Sequence, residues 1–224
     1  YDFPAIAPWV NSLERSGFTG MKAMLCYNIK QPVIDELAKR GFTIFAFEQT
    51  PEGVVYTKPF NIVVERFFHM WLFLKDAKEK YNLRYLIAPD VRDVLFQTNP
   101  SEWLEQNIGT KKIIAPQESI PYEHETWGKQ NLLQSYGRDI YSAHCKNTVI
   151  NAGTIAGEID TMVDLFLTVY LASKGGASIN PDQAALNIVL NTKAYRDMTY
   201  FAPAHAGWAC QAGVTADPHK IAGY

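Results

Sequence analysis

Residues Leu83–Pro100, LRYLIAPDVRDVLFQTNP, constrain this chain more than any other stretch. An apolar run, Tyr85 to Ala88, leads through Pro89 into an acidic cluster in which Asp90 and Asp93 flank Arg92. A short apolar run bounded by a turn signal reads as a buried strand. In open α/β sheets, ligands sit outside the carboxyl ends of the strands, so both carboxylates fall where a ligand is expected. Two such hard oxygen donors suit a divalent cation that completes its shell with water and substrate phosphates.

The residues before this stretch alternate between helical and strand patterns. Ile6, Trp9, Val10 and Leu13 recur at helical spacing within Pro4–Gly17, and Met21–Tyr27 is a short apolar run. Val33, Ile34, Leu37 and Ala38 repeat the helical pattern within Gln31–Arg40, Gly41 ends it, and Phe42–Phe47 supplies a further strand. This alternation predicts an α/β domain with a mostly parallel central sheet and crossover helices. After a turn-rich connection, Pro51–Pro59, the longest helix is expected from Pro59 to about Lys80. Arg66 and His69 interrupt its apolar face. A snorkelling stem and a satisfied core histidine account for them, while a functional account sends Arg66 to a phosphorylated sugar.

Beyond the acidic cluster, Val94, Leu95 and Phe96 return the chain to apolar packing, and a short helix is expected from Asn99 to about Gln106. Lys112–Pro116 reads as the next strand, delivering Gln117 and Glu118 to an acid-rich loop, Ser119–Thr126. Loops on a rigid scaffold carry function disproportionately, so Glu118 is the candidate there, although most such charges only solvate. Trp127–Tyr136 is expected to be helical, with Gly137 as its stop, and Asp139–Ala143 adds one more turn. Thr148–Ala156 reads as a strand interrupted by Asn151-Ala152-Gly153, where a glycine signals close approach of a backbone or a ligand. Gly157–Ser173 is expected to be an apolar helix, and Asp182-Gln183 opens another that ends near Asn191. Helix capping accounts for Asp182 without any chemistry. Past Lys193 the pattern weakens; Gly207–Gln211 reads as a strand, and His205 and His219 stand in a polar tail.

Length and composition narrow the classes. At 224 residues, 47 % hydrophobic and 20 % charged, the chain has the make-up of one globular domain spanning residues 1–224. A net charge of −2 with dispersed basic residues predicts no nucleic-acid partner. Cys26, Cys145 and Cys210 are scattered and form no CxxC spacing, which reads as reduced thiols and a cytoplasmic setting. The most apolar stretch, Met162–Ala172, contains Asp164 and is shorter than the roughly 20 residues a membrane span needs. The chain starts at Tyr1 without a methionine, so trimmed ends and an anchor before Tyr1 are both compatible with it.

In chain order, Asp90-Val91-Arg92-Asp93, Asn151-Ala152-Gly153, and Asp182-Gln183 followed by Leu186-Asn187 resemble the motifs of glycosyltransferases of the GT-A fold. The likeness is to the glycogenin and lipopolysaccharide-galactosyltransferase type, and DVRDVLFQTNP is similar to GT-A-like microbial and viral proteins with a D-x-R-D-V-x-F-Q motif. The resemblance implies a nucleotide-diphosphate sugar as donor and a saccharide or other hydroxyl acceptor. It implies Mn²⁺ or Mg²⁺ at Asp90 and Asp93, with His219 as a further ligand and His205 in reserve. Tyr1 and Asp2 would lie at the nucleotide base, and Asn151, Ala152 and Gly153 along the donor sugar; apart from the resemblance, Arg66 and Arg92 are candidates for donor binding through phosphate. Asp182 and Gln183 would face the sugar or the acceptor, and Glu118 or Asp182 would serve as base in an inverting reaction; the motifs tilt towards retention.

The second carboxylate stands one place later than in the family's DxD, with Arg92 in the usual position. Three readings follow: a rearranged turn still brings both carboxylates to one cation, Arg92 partly replaces the cation through its planar fork of donors, or Arg92 and Asp93 fix the loop while Asp90 alone meets the ligand. Two other functions fit the pattern, a nucleotidyltransferase and a catalytically silent sugar- or nucleotide-binding module. A dehydrogenase does not, because no GxGxxG turn follows any expected strand.

Overall fold

The computed structural model describes residues 2–56, 61–176, 178 and 180–212. The chain divides into two compact units, residues 1–60 with 89–103, and residues 61–88 with 104–224.

In the first unit, α1 (Phe3–Arg15) and α2 (Gln31–Lys39) accompany the parallel pair β1 (Lys22–Leu25) and β3 (Phe42–Phe45), in which Lys22 faces Phe42 and Leu25 faces Phe45. A three-stranded antiparallel sheet of β2 (Ile29–Lys30), β5 (Gly53–Val55) and β4 (Glu48–Thr50) was not expected from the apolar pattern, since each strand is only two or three residues long. The α1 stripe Ile6, Trp9, Val10 and Leu13 is buried with Met24, Cys26, Leu37 and Phe42. Burial pushes the Cys26 thiol up to about 11, which keeps it protonated and inert. Val91, Val94 and Phe96 pack against this core, the Phe96 amide donates to Ser12 Oγ at 3.1 Å, and the Phe96 ring meets Trp9 edge-on at 5.5 Å. The residues either side of the acidic turn are thereby anchored. Leu95, between them, points outward at 61 % exposure.

The second unit begins with α3 (Ile62–Lys80), capped by Asn61, whose Oδ1 accepts from the Val63 amide at 3.3 Å. Its sheet has the order β10 (Thr199–Ala202), β7 (Ile113–Pro121), β9 (Thr154–Glu158), β6 (Tyr85–Pro89), with β8 (Thr148–Ile150) also paired to β7. The expected mostly parallel sheet is instead mixed: β10 runs parallel to β7, whereas β9 and β8 run antiparallel to it. The reason is that β8 and β9 follow one another with only a tight turn between them, so both lie along β7 in the same direction. Pairing with β8 also carries β7 through Glu118 to Pro121, where a loop was expected. The last strand is Thr199–Ala202 rather than Gly207–Gln211, because Thr199–Ala202 is the segment that finds a parallel partner in Ile113–Pro116.

The helices of this unit are α4 (Pro100–Asn107, begun in the first unit), α5 (Thr126–His144), α6 (Ile159–Ser173), α7 (Pro181–Asn191) and α8 (Lys193–Arg196). Gly137, at φ 79°, breaks α5 into two helical runs, the stop expected there. Phe67 and Leu74 of α3, Phe166 and Val169 of α6, and Ala185 and Leu190 of α7 close over Ile113, Ile150 and Ile155 of the sheet. Among the described residues, no helix is long and apolar enough to cross a membrane.

Gly157 lies in β9, not at the head of α6 as its apolar neighbours suggested. A Cβ there would stand 2.3 Å from the Lys112 carbonyl oxygen, closer than any real contact, so the strand at this point admits only glycine. Gly157→Ala should lower the unfolding free energy by on the order of 2 kcal/mol, read as a fall in urea midpoint at unchanged slope. An unshifted midpoint would mean that the two strands separate there without cost.

Candidate functional site

The register of β7 creates the central feature of the second unit. Ile114 faces Ala156 and Gln117 faces Ile150. Two residues of β7 therefore oppose five of the partner, Asn151 to Ile155, and the three extra are accommodated by the turn Asn151-Ala152-Gly153. Side chains from β7 and α7, and from the turn itself, hold it in place. Asn151 Nδ2 donates to Glu118 Oε1 of β7 at 3.1 Å, while Asn151 Oδ1 accepts from the Gly153 amide at 2.7 Å. From α7, Gln183 Oε1 accepts from the Ala152 amide at 3.5 Å. One turn further along the helix, Asn187 Oδ1 accepts from the Ile150 amide and Asn187 Nδ2 donates to the Ile150 carbonyl, both at 2.8 Å.

The start of α7 is itself tied down. Asn131 Nδ2 of α5 donates to the Asn180 carbonyl at 2.6 Å, just before the helix. Asp182, 5 % exposed, is paired with Arg66 of α3, whose Nη2 lies 3.0 Å from Asp182 Oδ2. Asn180, not Asp182, occupies the cap position; the Asp182 carboxylate accepts from backbone N–H groups of the first helical turn. Burial raises the Asp182 carboxyl above its ordinary value despite the opposing pull of the Arg66 guanidinium and of those N–H groups. Glu118, 8 % exposed, is buried in β7 beside Tyr122. The Tyr122 hydroxyl is held protonated, first by burial and then by the negative charges of Glu118 and Glu125.

Arg66, Glu118, Asn151, Ala152, Gly153, Asp182 and Gln183, separated in sequence by up to 117 positions, thus fall within one hydrogen-bonded neighbourhood of one unit. Within it, the Gln183 amide nitrogen keeps its donors unspent among the described residues, and the Asn151 amide is committed to the turn at both ends. Asn187 stood in the motif order without a role. The signal was present: Gln183, Asn187 and Asn191 are amides at four-residue spacing and so lie on one face of the helix.

The acidic turn belongs to the first unit. Arg92 adopts φ 85°, in the left-handed region, and its Nε donates to Asp93 Oδ1 at 2.9 Å. Asp93 therefore meets any cation in competition with its own neighbour. Among the described residues, no group of three or more His, Cys, Asp or Glu side chains is placed to hold a metal ion. Two carboxylates fit a cation that brings its own phosphate and water ligands, and do not fit an all-protein cage. Asp2, exposed, lies 4.0 Å from Lys30, and His205 is exposed in a single 3₁₀ turn. Tyr1 and His219 lie outside the described residues.

No protein-family model matches this chain, and no curated protein matches it. Among solved structures it is similar to the WbbM bifunctional glycosyltransferase in its apo structure, with a TM-score of 0.56 at 15 % identity. The match covers 89 % of this chain and 37 % of that one, so the chain spans a little over a third of the neighbour's length. At that identity the likeness is one of fold: this is a glycosyltransferase-like α/β fold.

The raised Asp182 carboxyl has a stability consequence. The folded chain keeps the proton to higher pH than the unfolded chain, so the group favours folding at about pH 4 and below, and that contribution is lost as pH rises through the folded value. Asp182→Asn removes this titration. The variant's stability relative to wild type should improve between about pH 4 and about pH 7, measured by urea unfolding at each pH. A difference that stays flat, or moves the other way, would show that Arg66 rather than burial governs the carboxyl.

Proposed function

We propose that this chain is a GT-A-type glycosyltransferase that moves a hexosyl group from a nucleotide-diphosphate sugar to a hydroxyl of a saccharide acceptor. The observation that carries the reading is the convergence of Arg66, Glu118, the Asn151–Gly153 turn, Asp182 and Gln183 in one neighbourhood. Side-chain amides, a carboxylate and a guanidinium placed around a backbone turn are the donors and acceptors that a sugar's hydroxyl groups need. The fold shared with a solved glycosyltransferase supports it.

Each residue has a role in this reading. Gln183, with its amide donors unspent, faces the anomeric centre of the donor sugar. Asp182, oriented by Arg66, accepts from sugar hydroxyls. Ala152 and Gly153 bring the backbone close to the sugar, and Asn151 shapes the turn that does so. Glu118 is buried and bonded to Asn151, which makes it a poorer general base than an exposed carboxylate would be, and favours retention over inversion. In the first unit, Asp90 and Asp93 would hold Mn²⁺ or Mg²⁺, which supplies charge neutralisation for a departing nucleoside diphosphate. Arg92, beside them, would add its guanidinium to phosphate.

A second reading, a catalytically silent nucleotide-sugar-binding module, is favoured by one observation, the engagement of Asp93 by Arg92. Calorimetric titration with UDP and with GDP, with and without Mn²⁺, on wild type and Asp90→Ala separates the possibilities. Metal-enhanced binding of one nucleotide, weakened by about tenfold or more in Asp90→Ala, is the expected result; tenfold is 1.4 kcal/mol. Binding without donor hydrolysis would point to the silent module. Binding of neither nucleotide by the folded protein would overturn both readings.

A further inference from the structure

Resting on that reading, we propose that Asn187 is a positioning residue. Its side-chain amide takes the place of a neighbouring strand along the open edge of β8, and so sets where the Asn151–Gly153 turn presents its groups.

The argument begins with the strand. The Asn151 amide donates to the Pro116 carbonyl of β7 at 3.0 Å, so the N–H and C=O of Ile150, one residue earlier, face away from β7. Among the described strands β8 pairs with β7 alone, which leaves the edge carrying those two groups without a strand partner. A buried peptide group without a partner costs free energy comparable to a lost hydrogen bond. Ile150 is 1 % exposed and Asn187 3 % exposed, so water has little access to either.

The Asn187 amide satisfies both groups at once. Its oxygen accepts from the Ile150 amide and its nitrogen donates to the Ile150 carbonyl, the reciprocal pair that an adjacent strand would make. The second N–H of the same nitrogen donates to the Gln183 carbonyl at 2.8 Å, four residues back on α7. One side chain therefore joins the last residue of β8 to the backbone of the residue whose side chain meets the Ala152 amide. The contact from Gln183 to Ala152 is long, 3.5 Å, and cannot by itself fix the turn. Asn187 makes the rigid joint, and Gln183 is left adjustable.

This joint requires a group that both accepts and donates in one plane. Leucine fills the same space with neither capacity. Aspartate, when protonated, accepts and donates once, enough for both groups of Ile150 without the Gln183 contact; when ionised it only accepts, and it meets the carbonyls of Ile150 and Gln183 with negative charge. At a site this buried, an introduced carboxyl has a raised pKa and stays protonated well above the usual range.

The test uses the full chain with Asn187→Leu and Asn187→Asp, amide hydrogen exchange resolved by residue, and hydrolysis of UDP-glucose, UDP-galactose and GDP-mannose. In Asn187→Leu, exchange at Ile150, Ala152 and Gly153 should accelerate by about tenfold or more beyond any change at Phe166 and Val169 of α6. Turnover should fall through kcat more than through KM. In Asn187→Asp, protection factors and turnover, each taken as a ratio to wild type at the same pH, should both recover on going from about pH 8 to about pH 5, whereas the same ratios for Asn187→Leu should stay unchanged. Exchange that rises evenly across the unit, a turn unaffected by Asn187→Leu, or an Asn187→Asp variant indifferent to pH would each overturn the proposal. If no protein, wild type included, hydrolyses any donor while the exchange pattern is as expected, it is the glycosyltransferase reading that fails and the joint that stands.

Discussion

The second unit depends on the unequal pairing of β7 with the two short strands that run back along it. Five partner residues against two cannot be absorbed by a smooth ladder, so the chain must leave the sheet between Ile150 and Thr154. Wherever it leaves, backbone N–H and C=O groups lose their ladder partners, and in a largely buried setting each must find another. The polar side chains around the turn are the consequence. Gln183 and Asn187 sit where the backbone needs them, Glu118 holds the Asn151 side chain, and their presence inside a core of isoleucine, leucine and alanine follows from the register shift. A turn built in this way is both rigid and polar, the combination that a binding surface for a hydroxylated ligand requires.

The Arg66–Asp182 pair is of another kind, because it joins two charges: the Asp182 carboxylate accepts from backbone N–H groups of the first turn of α7 and is also paired with the Arg66 guanidinium. Removing two charges from water costs several kcal/mol per ion, and apolar replacements of such pairs are often neutral or stabilising by about 1–4 kcal/mol. The raised Asp182 carboxyl is in keeping with that penalty, with burial acting against the arginine at 3.0 Å and the backbone N–H groups. Set at the start of α7 beside the polar turn, the pair also offers a ligand an oriented charged group. The helix end reinforces this, since its first-turn N–H groups favour negative charge there.

Much of this was legible from the amino acids. The helical stripes of α1, α2 and α3 and the runs of β1, β3 and β6 carry their periodicity openly, and the motif residues Asn151, Asp182 and Gln183 were singled out before their proximity was known. What was not legible came from pairing, which is non-local. Periodicity cannot say that Gln117 will face Ile150, so the extension of β7 through Glu118 to Pro121 and the mixed sense of the sheet stayed hidden. Gly157 looked like a helix start because Glu158 and Ile159 begin an apolar run, and only the Lys112 carbonyl across the sheet explains its place in a strand. The strand Thr199–Ala202 is four residues long and amphipathic by chance neighbours such as Met198; its partner, not its composition, makes it a strand. Asn187 stands in the motif order, but its role exists only in relation to an edge that the sequence does not display.

The acidic turn of the first unit presents the converse problem, a local conformation that its sequence does not favour. Arg92 at φ 85° is in a region that side chains other than glycine and asparagine enter at a cost of order 1 kcal/mol or more. The surrounding order repays it: Val91 and Val94 flank the turn and Phe96 is fixed to Ser12 and Trp9, so the backbone between them has little freedom to relax. Glycine would occupy that position without strain. Folding alone therefore does not account for an arginine there, whereas the guanidinium held on Asp93 does. The side chain places a positive charge on the Asp93 carboxylate, and whatever anion or cation reaches that turn must come to terms with both.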